Sequence, residues 1–208
     1  MKIALAMICR GTGEEPINLR RALESIHKYV DAIYITLTAP KDQLAEAEKV
    51  CQEFKVIISY NKALWIATDE AIKWLKDFFG YEPHLRLGDK IFMFDEARNF
   101  NFSQVPKEYE WILWMDTDDV FRNGEKLKNI LELGKKGDFE AFYLNYLYQV
   151  ELAGEFCEAC NQKVDIHNRR IKHIIIEHLR ERIIRNNDKY KWIMSIHETL
   201  IEQVPTRK

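Results

Sequence analysis

Residues 2 to 60 alternate two kinds of pattern, and this alternation limits the possible folds more than any other feature of the chain. KIALAMIC, residues 2 to 9, is a continuous apolar run bounded by turn residues, as expected of a strand buried on both faces. The loop RGTGEEP follows, then INLRRALESIHKY, where Ile17, Leu19, Ala22, Leu23 and Ile26 recur at helical spacing behind Pro16. AIYITLT, 32 to 38, reads as a second strand, 42 to 54 as a second helix, and KVIISY, 55 to 60, as a third strand. Strand, helix, strand, helix, strand predicts a parallel sheet covered by helices.

The same reading extends along the chain. LWIATDEAIKWLKDFF, 64 to 79, predicts an amphipathic helix that packs on the core. Residues 80 to 90 read as a loop, IFMF as a short strand, and Asp95 as the N-cap of a helix over EARNFNFSQV. WILWM, 111 to 115, predicts a central strand, 124 to 133 a helix, and AFYLNYLYQVEL, 141 to 152, a long aromatic strand. Residues 174 to 186 suit either helix or strand, and KWIMSIHETL follows them.

Composition removes several classes of function. The 208 residues carry a net charge of -2, against the basic excess of a general nucleic-acid binder. No apolar run approaches the ~20 residues of a membrane span, and the N-terminal run lacks a signal-peptide cleavage pattern. Of the four cysteines, Cys9 and Cys51 sit in apolar patterns, so a reducing cytoplasm is expected rather than a disulfide framework.

The chemistry concentrates at WILWMDTDD, where an apolar strand runs into Asp116, Asp118 and Asp119. Residues two apart on a strand share a face, so strand geometry carried to its end would aim Asp116 and Asp118 together. Open α/β sheets bind ligands beyond the carboxyl ends of their strands. Two like charges there call for a cation, and Mg²⁺ takes carboxylates together with substrate phosphate oxygens. Half of a metal–diphosphate site is the functional reading. The plain alternative is a solvated turn, since DTDD before RNG is good turn chemistry.

EARNFNFSQVPKEYEWILWMDTDDVF closely resembles the nucleotide-sugar-binding core of GT-A glycosyltransferases, especially family 2. The N-terminal strand–loop–helix–strand, and RERIIRN followed by WIMSIHETL, resemble further elements of that family. The resemblance implies a single α/β GT-A domain over 1–208, with a mostly parallel central sheet, helices on both faces, and insertions at 61–90 and 153–173. It implies metal-dependent, inverting transfer of a sugar from a nucleoside-diphosphate donor, UDP by default, to an unidentified acceptor. Asp116 and Asp118 would hold Mn²⁺ or Mg²⁺ with His197 as a further ligand, while Asp119 supports the site. Asp116, Arg98, Asn99, Thr38 and Arg10 would face the donor. Glu198 is the candidate base that removes the acceptor proton, and Glu181 is its rival. Read without the family, Arg98 in a first helical turn opposes the helix dipole by about 0.3–1 kcal/mol, which a nearby anion would offset. An ordinary helical salt bridge is the alternative.

The chain also departs from that pattern. TLTAPKD, 36 to 42, puts Thr38 where the family tends to hold the base with an acid, and only Asp42 matches a later one. Gly11 and Gly13 resemble a phosphate loop loosely. The chain ends soon after His197-Glu198, so acceptor-binding or oligomerising elements are expected beyond it or in a partner. Cys157, Cys160, His167 and His173 could form a tetrahedral zinc knuckle. Two rival functions follow: a sugar-phosphate nucleotidyltransferase, and a non-catalytic interaction module built on that knuckle.

Overall fold

The three N-terminal apolar runs are strands β1 (Ile3–Cys9), β2 (Ala32–Leu37) and β3 (Ile57–Tyr60). Helices α1 (Glu15–Ile26) and α2 (Ala45–Glu53) connect them. The computed structural model describes residues 1–80, 84–152, 171–194 and 198–203. β1 pairs in parallel with β2 on one side and with β6 (Trp111–Trp114) on the other, and β2 pairs in parallel with β3. Antiparallel β8 (Ile171–Arg185) and β7 (Ala141–Leu152) complete a mixed six-stranded sheet of order β3-β2-β1-β6-β8-β7. The expected α/β architecture with a mostly parallel sheet is therefore present. The order reverses between β1 and β6, and open α/β sheets bind ligands beyond the carboxyl ends of their strands at such a reversal.

Helices cover both faces. α1, α2 and α5 (Leu127–Lys136) pack Leu19, Leu23, Ile26, Leu44, Val50, Leu127 and Leu131 against the odd-numbered side chains of β1 and β6. α4 (Phe94–Ser103) and the hairpin of β9 (Tyr190–Ile193) and β10 (Thr199–Glu202) cover Ala4, Ala6, Ile112 and Trp114 on the other face. Burial alternates along β1 and β6 because successive side chains point to opposite faces.

Residues 64 to 79 are not one helix. Leu64–Ile66 forms β4, paired antiparallel with β5 (Lys90–Phe92), and the helix α3 spans only Asp69–Phe79. The Thr68 hydroxyl caps it by accepting from the Ala71 amide at 3.2 Å, which sets its start. Its described residues include none that are buried, and Trp74 is 60 % exposed, so the expected core-packing role does not hold. The N-cap of α4 is Met93 rather than Asp95, which lies inside the first turn. Residues 174 to 186 belong to the strand β8 as far as Arg185. Of the zinc-knuckle residues, Cys157, Cys160 and His167 lie outside the described residues, and His173 sits on β8.

Gly11 has a packing role. It adopts φ +80°, and a Cβ there would lie 2.6 Å from Leu44 Cδ2. Its amide donates to Glu15 Oε2 at 2.9 Å, so among the described residues this loop serves α1 and α2.

Candidate functional site

β6 ends at Trp114, before the extended geometry through Asp118 that the paired-aspartate reading requires. The chain turns at once, with the Asp119 amide donating to the Asp116 carbonyl at 3.2 Å. Asp119 Oδ2 in turn accepts from the Asp116 amide at 2.9 Å. The turn therefore pairs Asp116 with Asp119 and turns Asp118 out to solvent. The expectation that Asp116 and Asp118 aim together fails because strand geometry stops before the motif.

Arg98 sits in the second turn of α4, not the first, and is buried. Its Nη2 donates to Asp116 Oδ1 at 2.6 Å and its Nε to Glu198 Oε1 at 2.9 Å. Its acids are therefore tertiary partners, 18 and 100 residues away, rather than helical neighbours. The guanidinium also lies 5.0 Å and 4.8 Å from the ring centroids of Trp114 and Trp192. The two indoles meet edge to face at 4.7 Å and form an apolar wall around the charge.

A second arginine completes the cluster. Arg182, on β8, is buried, with Nη1 3.7 Å from Asp116 Oδ2 and Nη2 3.1 Å from Asp119 Oδ2. It stacks at 3.9 Å over Trp114 and 4.4 Å over Tyr146, whose hydroxyl donates to Asp119 Oδ1 at 3.0 Å. Arg180 lies against the same two rings. Burial works to raise the Asp116 pKa, but the charge and hydrogen bond of Arg98, with Arg182 and Arg180 behind, outweigh it and hold the group below the usual carboxylate value. Asp119 goes the other way: burial raises it and Arg182 only partly offsets this. Burial, together with the Asp119 charge, pushes the Tyr146 phenol up, so it stays a donor.

The remaining expected residues scatter around this cluster. Asn99 is occupied by the fold, since its side-chain amide donates to the Trp192 carbonyl at 2.8 Å and accepts from the Trp192 amide at 2.9 Å. Thr38 is buried at the end of β2, with its hydroxyl 3.4 Å from the Cys9 carbonyl. Arg10 is exposed just beyond β1. Glu181 meets the cluster through its backbone carbonyl, which accepts from the Trp114 indole. His197 lies outside the described residues. Arg182, Tyr146, Trp114 and Trp192 were not foreseen. The spacing of Arg180 and Arg182 offered one signal, since residues two apart on a strand share a face.

Among the described residues no three metal-donor side chains converge. The carboxylates of Asp116 and Asp119 are already engaged by arginines, while that of Asp118 makes no ion pair among them. A separate cavity of about 250 Å³, lined by Asn99, Phe102, Ile112, Arg185 and Tyr190 among others, opens toward the start of β6 and contains none of these carboxylates. No described helix is long and apolar enough to cross a membrane.

No protein-family model and no curated protein matches the chain. Among solved structures, residues 1–349 of S. aureus TarS align over 65% of this chain and 33% of that one, at 16% identity and a TM-score of 0.37. The chain thus spans about a third of that TarS segment. The 4-diphosphocytidyl-2C-methyl-D-erythritol synthase of Anaerococcus prevotii DSM 20548 aligns over 89% of this chain and 71% of its own, at 11% identity and a TM-score of 0.42. Neither likeness bears on the reaction.

Proposed function

We propose that this chain transfers a sugar from a nucleoside-diphosphate donor to an acceptor hydroxyl or other nucleophile, with inversion and with Mn²⁺ or Mg²⁺. The observation that carries the reading is the convergence of Asp116, Asp119, Glu198, Arg98 and Arg182 at the carboxyl end of β6, beside the reversal of strand order. The sequence resemblance over residues 96–121 adds to it.

Each residue then has a physical task. Asp118 would hold the ion, with Asp116 behind it and His197 as the further ligand the resemblance implies. When bound, the ion supplies neutralisation of the departing diphosphate. Arg98 joins the donor side to the acceptor side, because a single guanidinium holds both Asp116 and Glu198. Glu198 is thereby held beside Asp116 on the same guanidinium, and as a carboxylate it would take the acceptor proton. Glu181 is the weaker candidate base, since it joins the cluster through its carbonyl. Arg180 and Arg182 would face the donor's negative charge.

Calorimetry with UDP, GDP, dTDP and CDP, with and without Mn²⁺, tests the donor site, repeated on Asp118→Ala. Metal-dependent binding of one nucleotide, lost in the variant, is the expected result. Absence of binding by all four would overturn the reading. Product analysis then separates sugar transfer, which releases a nucleoside diphosphate, from nucleotidyl transfer, which releases pyrophosphate.

A further inference from the structure

A turn that only reverses the chain needs little from the rest of the fold. The DTDD turn already closes itself, through the Asp119 amide on the Asp116 carbonyl and the Asp116 amide on Asp119 Oδ2. Further contacts nevertheless reach it from α1, β7 and β8. On α1, Arg21 Nη2 donates to the Asp118 carbonyl at 3.3 Å, and Ser25 Oγ accepts from the Phe121 amide at 3.0 Å. On β7, the Tyr146 hydroxyl donates to Asp119 Oδ1. On β8, Arg182 Nη2 lies against Asp119 Oδ2. Arg21, Ser25 and Tyr146 are 97, 96 and 27 residues from the positions they hold.

The turn is thus gripped from both faces of the sheet. α1 packs in the aliphatic cluster, whereas Tyr146 lies under Arg182, which stacks on Trp114 in the other. Each hydroxyl is itself held in place. Ser25 Oγ donates to the Ala22 carbonyl at 2.6 Å, which leaves a lone pair for the Phe121 amide. The Tyr146 ring is fixed 4.4 Å beneath the Arg182 guanidinium. These contacts leave out the Asp118 carboxylate, which is exposed and makes no hydrogen bond or ion pair among the described residues. A segment fixed along its backbone and free at one carboxylate is preorganised for a ligand, because the fold rather than the binding step has ordered it.

We infer that Tyr146 and Ser25 are positioning residues whose hydroxyls hold the turn from 116 to 121, so that Asp118 presents its carboxylate at a fixed place, a role that rests on the donor-site reading above. Both hydroxyls are already engaged by the protein, so both act through the turn rather than on the ligand. Tyr146→Phe removes a single oxygen and keeps the ring beneath Arg182. Ser25→Ala removes the hydroxyl on the opposite face.

Calorimetry of the full chain with UDP, GDP, dTDP and CDP over a Mn²⁺ series tests this, with melting followed alongside. For the nucleotide that binds the native chain, Tyr146→Phe should raise the half-saturating Mn²⁺ concentration ~10-fold, and saturating Mn²⁺ should restore the nucleotide affinity. Ser25→Ala should shift the same midpoint in the same direction. A purely structural hydroxyl would lower the melting midpoint and leave the Mn²⁺ series where it was, so a folded Tyr146→Phe with the native Mn²⁺ midpoint overturns the inference. So does a nucleotide affinity that saturating Mn²⁺ fails to restore, since Tyr146 would then touch the donor itself. If Tyr146→Phe does not fold, Ser25→Ala decides by the same criterion. A native chain that binds none of the nucleotides overturns the donor-site reading and this inference with it. A native chain that binds, beside variants that match it, overturns this inference and leaves the donor site standing.

Discussion

The two faces of the sheet are held by different physics. Under α1, α2 and α5 the buried cluster is aliphatic and sulfur-bearing, with Trp111 its one large ring and no charge within it. Under α4 and the β9–β10 hairpin, Trp114 and Trp192 are buried beside two buried arginines, Arg98 and Arg182, and Asn101. Asn101 donates to the Tyr34 carbonyl at 3.2 Å and to the Thr36 hydroxyl at 3.0 Å, joining helix to sheet by polar contacts. One face excludes water and leaves nothing to titrate near neutrality. The other buries charge, which is tolerable only because each charge meets an opposite one and a π face. A fold that needs both stability and chemistry can divide the two tasks across one sheet.

The contrast can be broken at several points. Arg98→Met should have the largest effect, because it leaves Asp116 and Glu198 without their shared cation; a loss of about 3–5 kcal/mol is expected in urea unfolding. A loss under about 1 kcal/mol would mean that the cluster is not holding the second face. Leu113→Ala on the aliphatic face should cost about 2–4 kcal/mol through the cavity it leaves, and should do so without altering nucleotide binding.

Alkali probes both faces together. Burial first, and the Glu48 charge second, push the Cys51 thiol up to about 12 from 9.0. Burial first, and Tyr109 second, push the Tyr34 phenol up to about 12 from 10.0. Both groups keep their protons in the folded state after the unfolded chain has lost them. Their contribution is therefore whole below the unfolded values and falls away as pH rises from about 9 toward 12. Melting midpoints across that range should flatten in Cys51→Ala from its lower part and in Tyr34→Phe from its upper part.

Asp118→Ala should have the smallest structural effect, within about 0.5 kcal/mol, since the side chain is exposed and unpaired among the described residues. Its large effect belongs to metal-dependent nucleotide binding. The reverse result, a destabilised fold that still binds nucleotide with its metal, would return the motif to a turn.

Much of this architecture was legible in the residues. KIALAMIC and WILWM announced central strands because a strand buried on both faces has no polar positions to spare. AFYLNYLYQVEL matched its strand end to end. The failure at 64–79 was one of context: Leu64 and Trp65 fit a helical face, but β5 offered Leu64–Ile66 a ladder instead. The Asp116–Asp118 alignment failed because the period of two applies only while the chain stays extended, and β6 stops at Trp114.

The sequence by itself determined that an apolar strand would deliver carboxylates to the carboxyl edge of a mostly parallel sheet, because hydrophobic periodicity and turn chemistry are local. Only the tertiary structure decided which charges meet. Arg98 lies 100 residues from Glu198 in the chain, and Arg182 lies 63 or more from Asp116 and Asp119 by their numbers. Nothing local couples such pairs. They find each other because burying a guanidinium is costly until a carboxylate and an indole face close around it, and only the complete fold brings those groups together.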